Sequence, residues 1–232
     1  RRGRTGRPGA AAASAAPQQG LDLARGLLAL AYGLRRPAAI RLLEKTPENC
    51  LRLDFLAALL PDASVIFLTR DGRANVHSLM EGWRQPHLFA GYTVPEPVTI
   101  PGLARRRWAF TLIPGWRALR DRPLEEVCAW QWARCNQAVL DFAERTAGRV
   151  PLLTVRYEAL VSQPEATLRT IAEFVGLDYA AELSRQAQAL PEINVVSTPA
   201  AEKWRGRGRE FVERIAAIIR PTMEKLGYDL EG

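Results

Sequence analysis

Apolar positions in this chain alternate between short continuous runs and stripes spaced three and four residues apart. Short runs suit buried strands, and stripes at i, i+3, i+4 and i+7 suit helices packed on a sheet. From Leu21, "LDLARGLLALAYGL" places Leu23, Leu27, Leu30 and Leu34 at helical spacing. "AAIRLL", residues 38–43, reads as a strand, after which Thr46 as cap and Pro47 at the first helical position predict a helix through "TPENCLRLDFLAALL". "ASVIFL" predicts a second buried strand. A helix from Gly72 follows it, with Val76, Leu79, Met80 and Trp83 on its packed face.

The stretch from Gln85 to Arg122 is punctuated by Pro and Gly and carries aromatics, and it reads as a variable insertion without assignable elements. Beyond it the pattern predicts a long helix from Leu124 to about Thr146, then the strand "VPLLTV". Ser162 to Glu165 has the form of a capping box ahead of "ATLRTIAEFVG", which should stop at Gly176. "DYAAELSRQAQAL" predicts another short helix. The last helix, "REFVERIAAIIRPTMEKLGYD", should pack through Phe211, Ile215, Ile218 and the Thr222 to Leu226 step, bending near Pro221. Strands alternating with helices predict an α/β fold with a mostly parallel sheet flanked by helices.

Each expected strand ends on polar residues: Glu44-Lys45-Thr46, Arg70-Asp71 and Arg156-Tyr157-Glu158. In an open parallel sheet such ends share the edge where ligands bind. Lys45, between a strand end and a helix N-terminus, has the chemistry to meet an anion, or else is a solvated loop lysine. Arg70 and Ser78 are placed to hold one phosphate jointly. His77 lies a quarter turn from Ser78 and reads as a surface residue, with no Ser-His dyad. Trp108 and Trp116, beside Arg105 to Arg107, read either as an acceptor-binding lid or as a hydrophobic cluster under a long loop. "KWRGRGRE", from Lys203, reads as a basic loop that closes over phosphate or is simply solvated.

The 232 residues suit one domain, expected over 21–232, behind a basic, Ala-rich disordered tail over 1–20. Lys and Arg number 32 against 25 Asp and Glu, for a net charge of +7, which favours a phosphate, sulfate or carboxylate partner. Three cysteines lack disulfide or zinc spacing, and no apolar run approaches the length of a membrane span, so a cytoplasmic protein without a metal or membrane contact is the expectation. Neither a Walker A pattern nor a GxGxxG after a strand occurs.

"EKTPENCLRLDFLAALLPDASVIFLTRDGRANVHSL", "VRYEALVSQPEATLRTIAEFVGL" and "AEKWRG" before "KLGYD" together resemble sulfotransferases that use 3'-phosphoadenosine 5'-phosphosulfate (PAPS), tyrosylprotein sulfotransferases included. The resemblance implies a P-loop NTPase-like sulfotransferase fold, here expected without its first strand and phosphosulfate loop, because nothing matches the family's "P[RK]SGT[ST]" pattern. It implies transfer of a sulfuryl group to a hydroxyl or amine, releasing adenosine 3',5'-bisphosphate (PAP). Arg70 and Ser78 match the pair that grips the 3'-phosphate, Tyr157 a nucleotide-side tyrosine, Lys203 the basic C-terminal loop, and Lys45 a lysine near the transferring group. Glu44 is a candidate base. Glu202 stands where the tyrosylprotein enzymes carry serine, so a small-molecule, glycan or peptide acceptor stays open. The alternatives are a PAP-binding module without catalysis and an arginine-rich nucleic-acid binder, which would need a continuous basic face with stacking aromatics.

Overall fold

A computed structural model describes residues 41–87, 89, 91–103, 107–188, 190 and 203–230. The expected tail over 1–20 and the helix from Leu21 lie outside them. The chain divides into two compact units, Arg1–Ala63 and Ser64–Gly232.

In the first unit, Arg41, Leu42 and Leu43 carry no strand and are exposed, against the expectation from "AAIRLL". A strand exists only by pairing its backbone, and these residues take no partner strand. The expected helix after Thr46 is also broken: a 3-10 turn spans Pro47–Leu51, and α1 spans Leu53–Leu59. Arg52 between them has a non-helical backbone. Thr46 stands at the N-cap, but its side chain makes no capping bond.

The second unit is built on a parallel strand pair. β1 (Val65–Thr69) leads through a single residue pair into α2 (Gly72–Trp83). Asp71 caps α2, its carboxylate accepting from the amides of Arg73 and Ala74. Phe67 and Thr69 are buried and Ile66 and Leu68 exposed, the two-residue period of a strand covered on one face. On α2 the buried positions include Val76, Met80 and Trp83.

The stretch over 85–122 does contain elements. β2 (Gly91–Tyr92) pairs antiparallel with β3 (Trp108–Ala109), and a 3-10 turn spans Trp116–Leu119. A side chain at Gly91 would put its Cβ 2.0 Å from the Trp108 carbonyl oxygen, so only glycine allows this pairing. Trp108 and Trp116 are buried. With Trp83 they form a chain of edge-on rings, 5.3 and 5.6 Å between centroids, which is a hydrophobic cluster rather than an open acceptor surface.

α3 (Leu124–Thr146) crosses behind this cluster. Its Gln131 is buried and accepts from Trp83 Nε1 at 2.9 Å, while its amide donates to the carbonyls of Ala109 (2.9 Å) and Thr111 (2.8 Å). β4 (Leu152–Arg156) then pairs parallel with β1, from Val65 opposite Leu152 to Thr69 opposite Arg156. α4 (Tyr157–Ser162) follows without a break, and α5 (Pro164–Phe174) starts on Pro164. Ser162 therefore ends a helix instead of capping one, and no side chain caps α5; proline's fixed φ starts that helix.

α6 (Ala181–Gln188) and α7 (Arg209–Lys225) complete the unit. α7 packs along α3 and runs through Pro221, burying Phe211, Ile215, Ile219, Thr222 and Met223. Ile219, not Ile218, is the core position, because successive contacts fall four residues apart from Phe211 to Met223. Gly227, at φ +70°, ends α7: the Gly227 amide donates to Glu224 and the Tyr228 amide to Met223, a Schellman turn. Among the described residues no helix is long and apolar enough to cross a membrane.

Gln131→Leu keeps the volume but removes the acceptor of the Trp83 indole N–H and the donor to the Ala109 carbonyl, while the Thr111 carbonyl keeps the Trp108 indole N–H at 3.1 Å. At about 1–3 kcal/mol for a stranded group, the expected loss is about 3 kcal/mol, read as a lower urea midpoint with an unchanged m-value.

Candidate anion site at the strand end

The backbone leaving β1 is held from three directions. The Thr69 hydroxyl lies 3.3 Å from both the Val155 carbonyl and the Tyr228 hydroxyl. Tyr228 donates to Glu158 Oε2 at 2.8 Å, and Glu158 Oε1 accepts from the Asp71 amide at 3.0 Å. Burial holds the Tyr228 phenol far above its usual range, so it remains a proton donor at any ordinary pH. Arg156, lying over the Tyr228 ring at 4.6 Å, donates to the carbonyls of Leu226 and Gly227. The segment after α7 is thus strapped to the ends of β1 and β4.

Arg73 completes the strap. It is 5% exposed, and its guanidinium meets Asp71 through Nε at 3.2 Å and Nη2 at 2.7 Å. It also donates to the carbonyls of Asp229 and Leu230 and lies 4.3 Å over the Trp204 ring. A buried guanidinium needs this complete pairing to offset its desolvation.

Three residues back, Arg70 differs. Half-buried, it donates through Nη1 to Ser78 Oγ at 3.1 Å and sits 4.6 Å over the Tyr157 ring. Among the described residues no carboxylate pairs with it. Its charge is steered by a neutral hydroxyl and an aromatic face, and is therefore available to an external anion. The eight-residue step from Arg70 to Ser78 comprises a strand end and two helical turns, which brings both side chains to one side of the α2 N-terminus.

The expected basic loop is a 3-10 turn, Lys203–Arg207, followed directly by α7. Trp204 is buried, while Lys203 is half-buried. Lys203, Arg207 and Arg70 all lie close enough to disfavour charge on His77. His77 is not the surface residue expected: its side chain is 12% exposed, and its Nδ1 accepts from Arg207 Nε at 3.0 Å. Arg70, Ser78, Tyr157 and Lys203 thus belong to one neighbourhood of the second unit. The framework residues Arg73, Glu158, Tyr228 and Arg207 carry roles that only long-range contacts reveal.

Glu44 and Lys45 are in the first unit, both exposed. The Glu44 carboxylate accepts hydrogen bonds from Thr46 and from the Asn49 amide at 3.0 Å. These bonds hold it below the usual carboxylate range, which weakens it as a base. They also explain the missing cap, since the Thr46 hydroxyl is engaged by Glu44.

A parallel strand end with a hydroxyl, an aromatic face and an arginine that no described carboxylate neutralises has the chemistry to meet an anion. The sulfotransferase family model matches residues 10–93 and 103–181, and the chain belongs to that family. Among curated relatives, protein-tyrosine sulfotransferase 1 of Danio rerio is 28% identical over 204 residues, covering 81% of this chain and 48% of its own length. Protein-tyrosine sulfotransferase A of Caenorhabditis elegans is 26% identical over 212 residues, covering 85% and 47%. The chain spans about half the length of these relatives. A solved sulfotransferase domain from the curacin biosynthetic pathway shares the fold at a TM-score of 0.50 and 17% identity, over 90% of this chain and 68% of that one.

Asp71→Ala removes both a helix cap and the partner of a buried guanidinium. The expected cost is about 3–5 kcal/mol. Asp71→Asn keeps the cap acceptor and should cost clearly less, a ranking that thermal melts of the two variants would read directly.

Proposed function

We propose that the protein binds PAPS and transfers its sulfuryl group to a hydroxyl or amine acceptor, releasing PAP. The observation that carries this reading is the Arg70–Ser78 pair against Tyr157, a cation at a strand end with no carboxylate partner among the described residues. A terminal phosphate suits it: Arg70 supplies a charge-assisted fork, Ser78 a hydroxyl donor, and Tyr157 a wall that keeps the guanidinium from swinging away. Lys203 adds a second cation in the same neighbourhood. A 3'-phosphate is the group that separates PAPS from ATP, so this grip selects the donor.

In the transfer, the acceptor oxygen or nitrogen forms a bond to sulfur as the bond from sulfur to the bridging oxygen breaks, leaving that electron pair on PAP. Lys45 is assigned, from its place in the family-like "EKTP" turn, to neutralise charge on the departing oxygen. Glu44 is the candidate to take the acceptor proton, although its hydrogen bonds make it a weak base. The names of the relatives make a peptide tyrosine the first acceptor to assay.

Calorimetric titration with PAP, against 5'-AMP as control, tests the donor assignment without any acceptor. The wild-type chain should prefer PAP, and Arg70→Ala should lose that preference by about 10- to 100-fold, the value of a charged hydrogen bond of about 1.5–3 kcal/mol. Equal discrimination before and after the substitution would sink the assignment. Lys45→Ala should lower turnover on the order of 100- to 1,000-fold with PAP affinity little changed. An effect confined to affinity would make Lys45 a binding residue.

A further inference from the structure

His77 precedes Ser78 on α2, and its Nδ1 accepts the Arg207 Nε–H at 3.0 Å. Only a neutral imidazole accepts at that atom, so the ring proton resides on Nε2, which faces Glu81 Oε2 at 3.6 Å. The charged groups around the ring are Glu81 on its own helix, Arg207 and Lys203 on the turn Lys203–Arg207, and Arg70 from the end of β1. Desolvation, reinforced by Arg207, holds the imidazole below its ordinary value of 6.5. On the other side of the bond, Arg207 has no carboxylate partner among the described residues. Its turn contains Gly206 and is followed by Gly208, and a Cβ at either would meet nothing within 4 Å. The turn's contacts include Trp204 packed against Arg73 and Arg207 bonded to His77.

We propose that neutral His77 is a positioning residue that seats the basic turn Lys203–Arg207 on α2, and that protonation of its imidazole unseats the turn. This deepens the PAPS reading and rests on it in one respect: the seated turn presents Lys203 beside the Arg70–Ser78 grip, so seating sets nucleotide affinity. On protonation Nδ1 changes from acceptor to donor, and two N–H groups on two cations face each other across about 3 Å. Because the folded value is depressed, the contact is intact above the ordinary histidine value near 6.5 and is lost as pH falls through the folded value.

The chain has only two histidines, His77 and His87, so His77→Gln assigns the imidazole resonances. Gln keeps an acceptor and does not titrate. The reporter is the indole N–H resonance of Trp204, identified with Trp204→Phe and followed in the ligand-free chain from about pH 8 to pH 5. It should move with the His77 midpoint, below about 6.5, and should stay put in His77→Gln. In Arg207→Gln, removing the cation should raise the His77 midpoint. A Trp204 resonance that ignores the His77 titration, or that moves equally in His77→Gln, overturns the latch. The link to the site is read separately by PAP titration at about pH 7.5 and 5.5. The phosphate's own protonation, near pH 6, is common to both proteins. Wild-type affinity should fall several-fold more than that of His77→Gln; equal falls overturn the link. Absence of PAP binding at every pH would count against the nucleotide reading and against the link, while the Trp204 reporter alone would then decide the latch.

Discussion

The strand end depends on the ion pair between Asp71 and Arg73. One carboxylate caps α2 through two amides and neutralises a guanidinium that is almost fully buried. Arg73 in turn reaches the carbonyls of Asp229 and Leu230, which lie within range because the Schellman turn at Gly227 redirects the chain after α7. Tyr228, set by that same turn, closes the circuit through Glu158 to the Asp71 amide. The residue before Asp71 is Arg70, so the position of its backbone is fixed by contacts that involve neither its own side chain nor any ligand. A phosphate grip gains from such preorganisation, because ordering done during folding is not repeated on binding.

Where the chain's local signals agreed with its long-range packing, the fold was legible. β1, α2, α3, β4 and α7 have strong periodicity and sit where it places them. The failures have identifiable causes. "AAIRLL" has strand composition, yet residues 41–43 lack the partner that composition cannot supply. Thr46 has capping chemistry, but Glu44 and Asn49 engage one another and the threonine first. At Ser162 the capping box was outcompeted by α4 running up to it and by Pro164. On α7, Ile218 and Ile219 both fit an apolar stripe, and only contact with α3 selects the second. In the candidate site, the contact of Arg70 with Ser78 follows from a strand end and two helical turns, which fix their relation locally, whereas Tyr157 reaches Arg70 from the end of the neighbouring strand β4. His77 was not legible: it is covered by an arginine 130 residues away in the chain. The same distance hid Arg73's carbonyl partners and the Tyr228 relay.

Several of the described arginines are paired with acids. Arg117 and Arg120 meet Glu96, Arg122 meets Glu126, Arg169 meets Glu165, and Arg214 bridges Glu125 and Glu210. Exposed pairs of this kind are worth about 0–1 kcal/mol each. The neighbourhood of Arg70, Lys203 and Arg207 stands apart from this pattern. Its cations are gathered on the strand end and the turn, around His77, which also faces Glu81.

Arg70 and Arg73 differ in what is left for their charge to do. They are the same side chain, three residues apart, and both stack on an aromatic ring. Arg73 has its charge cancelled by a carboxylate and further donors used by two main-chain carbonyls, so its charge is already spent within the fold. Arg70 is given a neutral hydroxyl and a ring. Each of these fixes direction without cancelling charge, and a half-exposed guanidinium tolerates that arrangement because water solvates it in the absence of a ligand. An incoming phosphate would replace that water with two charge-assisted bonds in a fork already aimed at it. The chemistry of the site therefore resides less in having an arginine at the strand end than in the absence, among the described residues, of an acid to neutralise it.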